Sequence, residues 1–276
     1  MLKNLRSTKT LHNGIDIPYV GLGVFQMKDP SETVHAVRTA IQSGYRSIDT
    51  AAVYDNEESV GQGVKEGGVA REELFITSKV WNSDQGYDST LKAFETSLKK
   101  LDMDYLDLYL IHWPVEGKYN DTWKALERLY GEGLVKSIGV SNFHQHHLED
   151  VMKNGNEKPV LNQIELHPRL NQEKIREFCA SQNIAVEAWS PIAQGRVLDE
   201  PTLNHIAAKH EKSAAQVILR WHLQNDVIII PKSVHEKRIK ENADLFNFEL
   251  TLEEMNQINE LNLDERFGPD PDNFDF

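Results

Sequence analysis

Tyr45-Arg46-Ser47-Ile48-Asp49-Thr50-Ala51-Ala52-Val53-Tyr54 is the stretch whose reading decides the rest. It reads as a short strand that leaves Gly44, runs through Ser47 and Ile48, and stops at a carboxylate, Asp49. An ionised carboxylate at a strand tip is costly unless a cation meets it. Tyr54 follows five residues later, in a segment too short to be an element of its own. On these residues alone a plainer reading stays open: an Asp capping the next helix and a Tyr packed at a loop base.

Working outward, the strand belongs to a repeating unit. Upstream, Asp29-Pro30-Ser31-Glu32 has the marks of a helix start: a capping Asp, a Pro at the first position and a Glu three after the cap. Val34, Val37 and Ile41 supply the apolar face, and Gly44 ends the helix. Before it, Val20 to Gly23 is a short apolar strand, and Thr10 to Ile15 looks like a small hairpin with Asn13-Gly14 at its turn. Downstream, strand and helix alternate. Strands are expected at 74–79, 105–112, 135–141, 160–165, 185–190 and 227–230, each followed by a helical pattern, with two helices after the seventh strand and a final one over 252–261. Most strands are near-continuous apolar runs, as expected when both faces are covered.

Eight strands alternating with helices, with no linker or low-complexity insert, predict an α/β fold: one (β/α)8 TIM barrel spanning 1–276, with an N-terminal β-hairpin and extra C-terminal helices. An open doubly wound sheet is the alternative. Against it, Gly21-Leu22-Gly23 lacks the third glycine of a dinucleotide fingerprint, and the next helix begins too late.

Bulk properties narrow the function classes. The net charge of −13 gives no general attraction to nucleic acid or anionic membrane, so a local basic cluster would be specific. The single cysteine, Cys179, excludes an intrachain disulfide and reads as a buried, inert thiol. No run approaches a membrane span and residues 1–7 lack an apolar leader core, so a cytoplasmic location is the expectation.

In such a barrel the active site lies at the C-terminal ends of the strands. There stand Asp49, Lys79, His112, Ser141-Asn142, Gln163 with Glu165, Trp189-Ser190, and Lys232-Ser233. Lys79 can pair with Asp49. An ammonium beside Tyr54 should lower the pKa of its phenol toward working pH and fit it to give a proton to a carbonyl oxygen. His112 can hydrogen-bond the same oxygen. No two-His-plus-carboxylate spacing suggests a hydrolytic metal, and no serine lies in a nucleophile elbow. A Schiff base on Lys79 is conceivable, but the neighbouring Asp would keep the amine protonated.

Asp49, Tyr54, Lys79 and His112 are similar to the catalytic tetrad of the aldo-keto reductases, and their contexts resemble that family too: Ile48-Asp49-Thr50-Ala51, Tyr54-Asp55-Asn56-Glu57, Thr77-Ser78-Lys79-Val80-Trp81 and Asp107 to Pro114. So do Ile138 to Phe143, Asn162 to Pro168, Trp189-Ser190-Pro191, Ile230-Pro231-Lys232-Ser233 and Glu241-Asn242. The resemblance covers nearly the whole chain and is strongest to bacterial glyoxal and methylglyoxal reductases, including the closing Gly268 to Phe276. It implies NADPH-dependent reduction of aldehydes and ketones.

By position the resemblance implies that Ser141, Asn142 and Gln163 hold the nicotinamide amide and that Trp189 stacks on its ring. Ser190, Pro191, Ile192, Gln194 and Gly195 would follow the pyrophosphate. Lys232, Ser233, Val234, His235, Arg238, Glu241 and Asn242 would bind the adenosine end, and Gly23 and Val24 would also touch the cofactor. Lys232 and Arg238 form a local basic pair suited to a 2′-phosphate, whereas Lys237 and Lys240 read as ordinary surface charges. Phe25, Trp81 and Trp113, with His112, would wall the substrate. The short connection 115–120 suggests an open pocket, bordered by the tail 266–276. His144, His146 and His147 read as a solvated helix face and His167 as a strand-end cap, so no metal site is expected.

The resulting expectation is a monomeric carbonyl reductase with a small-molecule substrate and neither nucleic-acid nor membrane partners. Glyoxal, methylglyoxal and sugar-derived diketones are all candidate substrates. The readings held against it are a slow, NADPH-binding regulatory subunit and a lysine aldolase.

Overall fold

The computed structural model describes residues 2–276. A small antiparallel hairpin comes first, from β1 (Thr8–Thr10) and β2 (Asp16–Pro18). The Asn13-Gly14 turn lies in the connection between them, where Gly14 has a φ of 85°. The hairpin strands therefore flank the stretch read from sequence rather than lying within it.

Eight parallel strands follow: β3 (Leu22–Gly23), β4 (Ser47–Asp49), β5 (Phe75–Val80), β6 (Leu108–Ile111), β7 (Ile138–Ser141), β8 (Leu161–Glu165), β9 (Ala185–Trp189) and β10 (Ile228–Ile229). Each pairs in parallel with the next in sequence. The two ends of the sheet also meet. Val20 bridges Ile229 and Gly23 bridges Lys232, with the Gly21 amide donating to the Ile229 carbonyl at 2.8 Å. The sheet is thus a closed (β/α)8 barrel with no open edge. The seam is tight enough to require glycine: a Cβ on Gly23 would lie 2.7 Å from the Ile230 carbonyl oxygen.

The helices between strands are α1 (Pro30–Gln42), α2 (Glu57–Glu66), α3 (Tyr87–Leu101), α4 (Tyr119–Gly131), α5 (Gln145–Asn154) and α6 (Glu173–Ser181). Next come α7 (Pro201–Lys209), α8 (Ala214–Gln224), α9 (Glu236–Ala243) and α10 (Leu252–Asn259). Several of their starts carry capping side chains. The Asp29 side chain accepts from the Glu32 amide with Pro30 at the first position, and Ser213 and Thr251 each open a capping box. The apolar strand residues are buried beneath these helices, as are Phe94, Trp123 and Trp221 on the helices themselves. Cys179 is buried, and burial pushes its thiol up to about 12. No helix among the described residues is long and apolar enough to cross a membrane.

Candidate active site

Asp49 ends β4, and Lys79 stands one residue before the end of β5. Lys79 is wholly buried, and its Nζ donates to Asp49 Oδ1 at 2.6 Å and to the Thr50 carbonyl at 2.9 Å. The other Asp49 oxygen accepts from Gln163 Nε2 at 2.8 Å. Burial pulls the ammonium down, but the charge of Asp49, helped by Tyr54 and Glu187, more than offsets it and lifts Lys79 above its ordinary range.

Tyr54 sits on a single 3-10 turn (Ala52–Tyr54) and is positioned by buried polar bonds around it. Thr50 Oγ1 donates to Asn56 Oδ1 at 2.8 Å, and Asn56 Nδ2 donates to the carbonyls of Val24 and Met27. Ser78 Oγ donates to buried Glu57 at 2.7 Å. Lys79 Nζ lies 5.2 Å from the Tyr54 ring centre, and the His112 ring stands edge-on at 5.7 Å.

One expectation is corrected here. Lys79 does pull the Tyr54 phenol down, but burial outweighs it and leaves the phenol above its usual range. The hydroxyl therefore keeps its proton at neutral pH. His112 is held well below the ordinary imidazole range, first by burial and then by Lys79, so it is neutral. Its buried Nδ1 has no hydrogen-bond partner.

The aromatic residues named for a substrate wall come together at this point. Phe25 is 51% exposed and lies 5.0 Å from the Tyr54 ring; Trp81 is edge-on to His112 at 5.1 Å. The chain's last residues complete the wall. Phe276 stacks on Trp81 at 5.7 Å and stands edge-on to Trp113 at 5.3 Å, and Phe274 packs on Trp113 at 5.2 Å. The room left by the short 115–120 connection is therefore bordered by the tail rather than left open.

Residues assigned to a cofactor line the same mouth. Ser141 Oγ donates to the Gln163 carbonyl, Asn142 Nδ2 donates to the His112 carbonyl, and Trp189 Nε1 donates to Asn142 Oδ1 at 2.8 Å. The indole, half-buried, is thereby fixed in orientation. After β9 the backbone is unusual: Ser190, Ala193 and Gln194 all have φ between 47° and 54°, and Gly195 has 87°. Strained non-glycine residues of this kind gather at ligand clamps. The Pro191 carbonyl faces His222 Nε2 at 2.9 Å, and Ile192 packs against the core. Gly23 and Val24 lie across the seam, with the Val24 amide on the Asp49 carbonyl.

At the far side, Ser233 Oγ accepts from the His235 amide, Asn242 is buried and Val234 is half-buried. Lys237 and Lys240 pair with Glu241 and Glu236 one helical turn away. Lys232 and Arg238 are exposed and have no carboxylate partner among the described residues. Two unneutralised cations beside the N-terminus of α9 are a donor set suited to a phosphate.

One group escaped the sequence reading, and another was named at a strand end without a role. Glu187, two residues before Trp189 on β9, is buried inside the barrel, and its Oε2 accepts from Gln163 Nε2 at 2.6 Å. One amide thus serves two carboxylates. Burial first, then the charge of Asp49, push Glu187 up to about 8, so it holds a proton at neutral pH. Its signal was a lone charged residue at an alternate position of an apolar strand. The second is Glu165, which accepts from the amides of Phe267 and Gly268 and faces His167 Nε2 at 3.0 Å. Burial works against its charge, but His167 and those amides prevail and keep it below its usual range. It ties the tail down, with Phe267 stacked on His167.

A closed parallel barrel with this lysine, aspartate, tyrosine and histidine at its carboxyl end is an oxidoreductase scaffold. The Aldo/keto reductase family model matches residues 19–263, and the chain belongs to that family. It is 60% identical to the glyoxal reductase of Bacillus subtilis (strain 168), over 99% of each chain. It is 46% identical to the methylglyoxal reductase DkgA of Escherichia coli (strain K12), over 96% of each. The crystal structure of a Gox0644 variant in complex with NADPH superposes with a TM-score of 0.94 at 47% identity, covering 98% of this chain and 99% of the other.

Proposed function

We propose that residues 1–276 work as one domain that reduces small reactive carbonyls, glyoxal and methylglyoxal among them, to alcohols with NADPH. The observation that carries this reading is the buried Asp49–Lys79 pair beneath a protonated Tyr54, with neutral His112 at its edge. When bound, NADPH supplies the hydride. Tyr54 gives its proton to the substrate oxygen as negative charge develops there, and Lys79 stabilises the phenolate that remains. Asp49 keeps Lys79 charged and fixed. His112, neutral, donates one N–H to the same oxygen and orients it. Phe25, Trp81 and Trp113 exclude water around the carbonyl.

Ser141, Asn142 and Gln163 are the groups for the nicotinamide amide, and Trp189 offers its face to the ring. The turn Ser190 to Gly195, including Pro191, Ile192 and Gln194, would follow the pyrophosphate. Lys232, Ser233, Val234, His235, Arg238, Glu241 and Asn242 would hold the adenosine end, and Gly23 and Val24 the near edge. The free cations Lys232 and Arg238 support NADPH over NADH.

The relatives' names support the dicarbonyl substrates. A monomer in the cytoplasm completes the reading. The test is NADPH oxidation by the purified protein against glyoxal, methylglyoxal, benzaldehydes and keto-sugars, with NADH in parallel. Turnover of dicarbonyls with NADPH supports the reading. NADPH binding without turnover of any carbonyl overturns it and points to a regulatory subunit.

A further inference from the structure

Three histidines at the start of α5 converge on one carboxylate of the tail. His144 Nδ1 lies 2.9 Å from Asp272 Oδ2; His146 Nε2 and His147 Nε2 lie 3.2 and 3.4 Å from Asp272 Oδ1. All four ligand atoms fall within 4.8 Å of one another. Nitrogen and oxygen atoms bound to one tetrahedral zinc stand about 3.3 Å apart, so the cluster has the dimensions of a metal site. From sequence the histidines read as a solvated helix face, because their fourth partner comes from far along the chain.

Proton accounting decides which groups can be ligands. His147 Nδ1 accepts the His144 backbone N–H at 3.1 Å, so its Nε2 carries the proton and can only donate to Asp272. His146 is 61% exposed, and its Nδ1 forms no hydrogen bond, so its Nε2 is free to present a lone pair. His144 Nε2 faces the Arg266 guanidinium at 3.2 Å. The same guanidinium also faces Asp270 at 3.6 Å and Glu165 at 3.9 Å, so Nδ1 carries the His144 proton here, and a metal at Nδ1 requires that proton to shift to Nε2 and Arg266 to give up its contact with the ring.

We propose that His144 Nδ1, His146 Nε2 and the Asp272 carboxylate form a binding site for a divalent transition metal of the zinc class, with water as fourth ligand. His147 is the outer partner that donates Nε2–H to the ligating carboxylate and orients it. Two imidazoles and a carboxylate suit zinc, and the surrounding carboxylates Asp270 and Glu165 favour a cation despite Arg266. The site shares no residue with the group Asp49, Tyr54, Lys79 and His112 and is given no part in hydride or proton transfer. Its ion ties the tail that carries Phe274 and Phe276 to the first turn of α5.

The test is titration of zinc into the metal-free full chain against a chromophoric chelator, with thermal melting in parallel. The wild type should bind one equivalent and melt higher with zinc. Asp272→Asn and His146→Gln should each lose that equivalent and the melting shift, while His147→Gln should weaken binding about 10- to 100-fold. Asp272 and His146 are exposed, so both variants should fold, and circular dichroism checks this. A wild type that takes up no zinc, or an Asp272→Asn variant that binds it as the wild type does, would overturn the proposal. Neither result depends on turnover, so the reductase reading stands or falls separately.

Discussion

On one flank of the barrel mouth Lys79 is sealed between Asp49 and the Thr50 carbonyl, with Gln163 bridging to a protonated Glu187 behind them. On the other, Lys232 and Arg238 stand in solvent with no carboxylate among the described residues to meet them, though their neighbours Lys237 and Lys240 are paired. The first flank is electrostatically complete without a ligand. The second has cations left over. A buried charge must be satisfied by the fold itself, because stranding it costs several kcal/mol. An exposed charge can wait for its partner in water at little cost. On the proposed roles, the difference separates the groups that do chemistry from the groups that select what binds.

The comparison can be broken first at Tyr54. Tyr54→Phe should lower carbonyl reduction about 100- to 10,000-fold while leaving NADPH binding, followed by fluorescence titration, near wild type. Retention of most turnover would remove Tyr54 as the proton donor. Lys79→Met should also abolish activity and, by stranding Asp49, destabilise the fold by about 3–5 kcal/mol in urea denaturation. On the open flank, Arg238→Ala should raise the NADPH KM about tenfold or more and leave kcat and the NADH KM nearly unchanged, with no loss of stability. Equal effects on both cofactors would end the 2′-phosphate assignment.

Glu187 sharpens the contrast through pH. Its folded pKa of about 8 lies above the ordinary 4.5 of a glutamate, so folding takes up a proton between those values. Bound protons in the native state make this group's contribution to stability fall as pH rises through that window. Glu187→Gln should remove that slope, seen as a wild-type-minus-variant difference between denaturation at pH 5 and pH 8. The smallest effect belongs to Lys237→Ala, whose exposed pair with Glu241 should be worth nothing measurable in either activity or stability.

The barrel was legible because most strands are apolar and each helix is amphipathic, with capped starts at α1, α8 and α10, so local chemistry repeats the same message around the sheet. The Asp49–Lys79 pairing was legible because a strand-tip charge asks for a counter-charge. What sequence logic misjudged was the balance at Tyr54: a nearby ammonium can be inferred from residue types, but the degree of burial that overrides it cannot. Glu187 was legible in principle, since one parity of β9 faces the barrel interior and a glutamate there needs a partner. The tail was not. Phe276 on Trp81, Glu165 under Phe267 and Asp272 among three histidines join segments with no shared periodicity, and only the folded chain brings them together.

The seam between Val20–Gly23 and Ile229–Lys232 sets an order on synthesis. Each strand from β3 to β10 pairs with its neighbour in sequence and can dock as it emerges from the ribosome. The outer edge of β3 must wait for nearly the entire barrel to be made, and until then the growing sheet carries an unpaired edge at each end, the kind that recruits other chains. All four residues of the proton-handling group lie in the first 112 positions, whereas the free cations come in with the closing strand and the helix after it. On the proposed roles, a nascent chain therefore has its proton-handling residues synthesised long before the cations proposed for the phosphate, and a truncation before Ile228 would contain the first without the second.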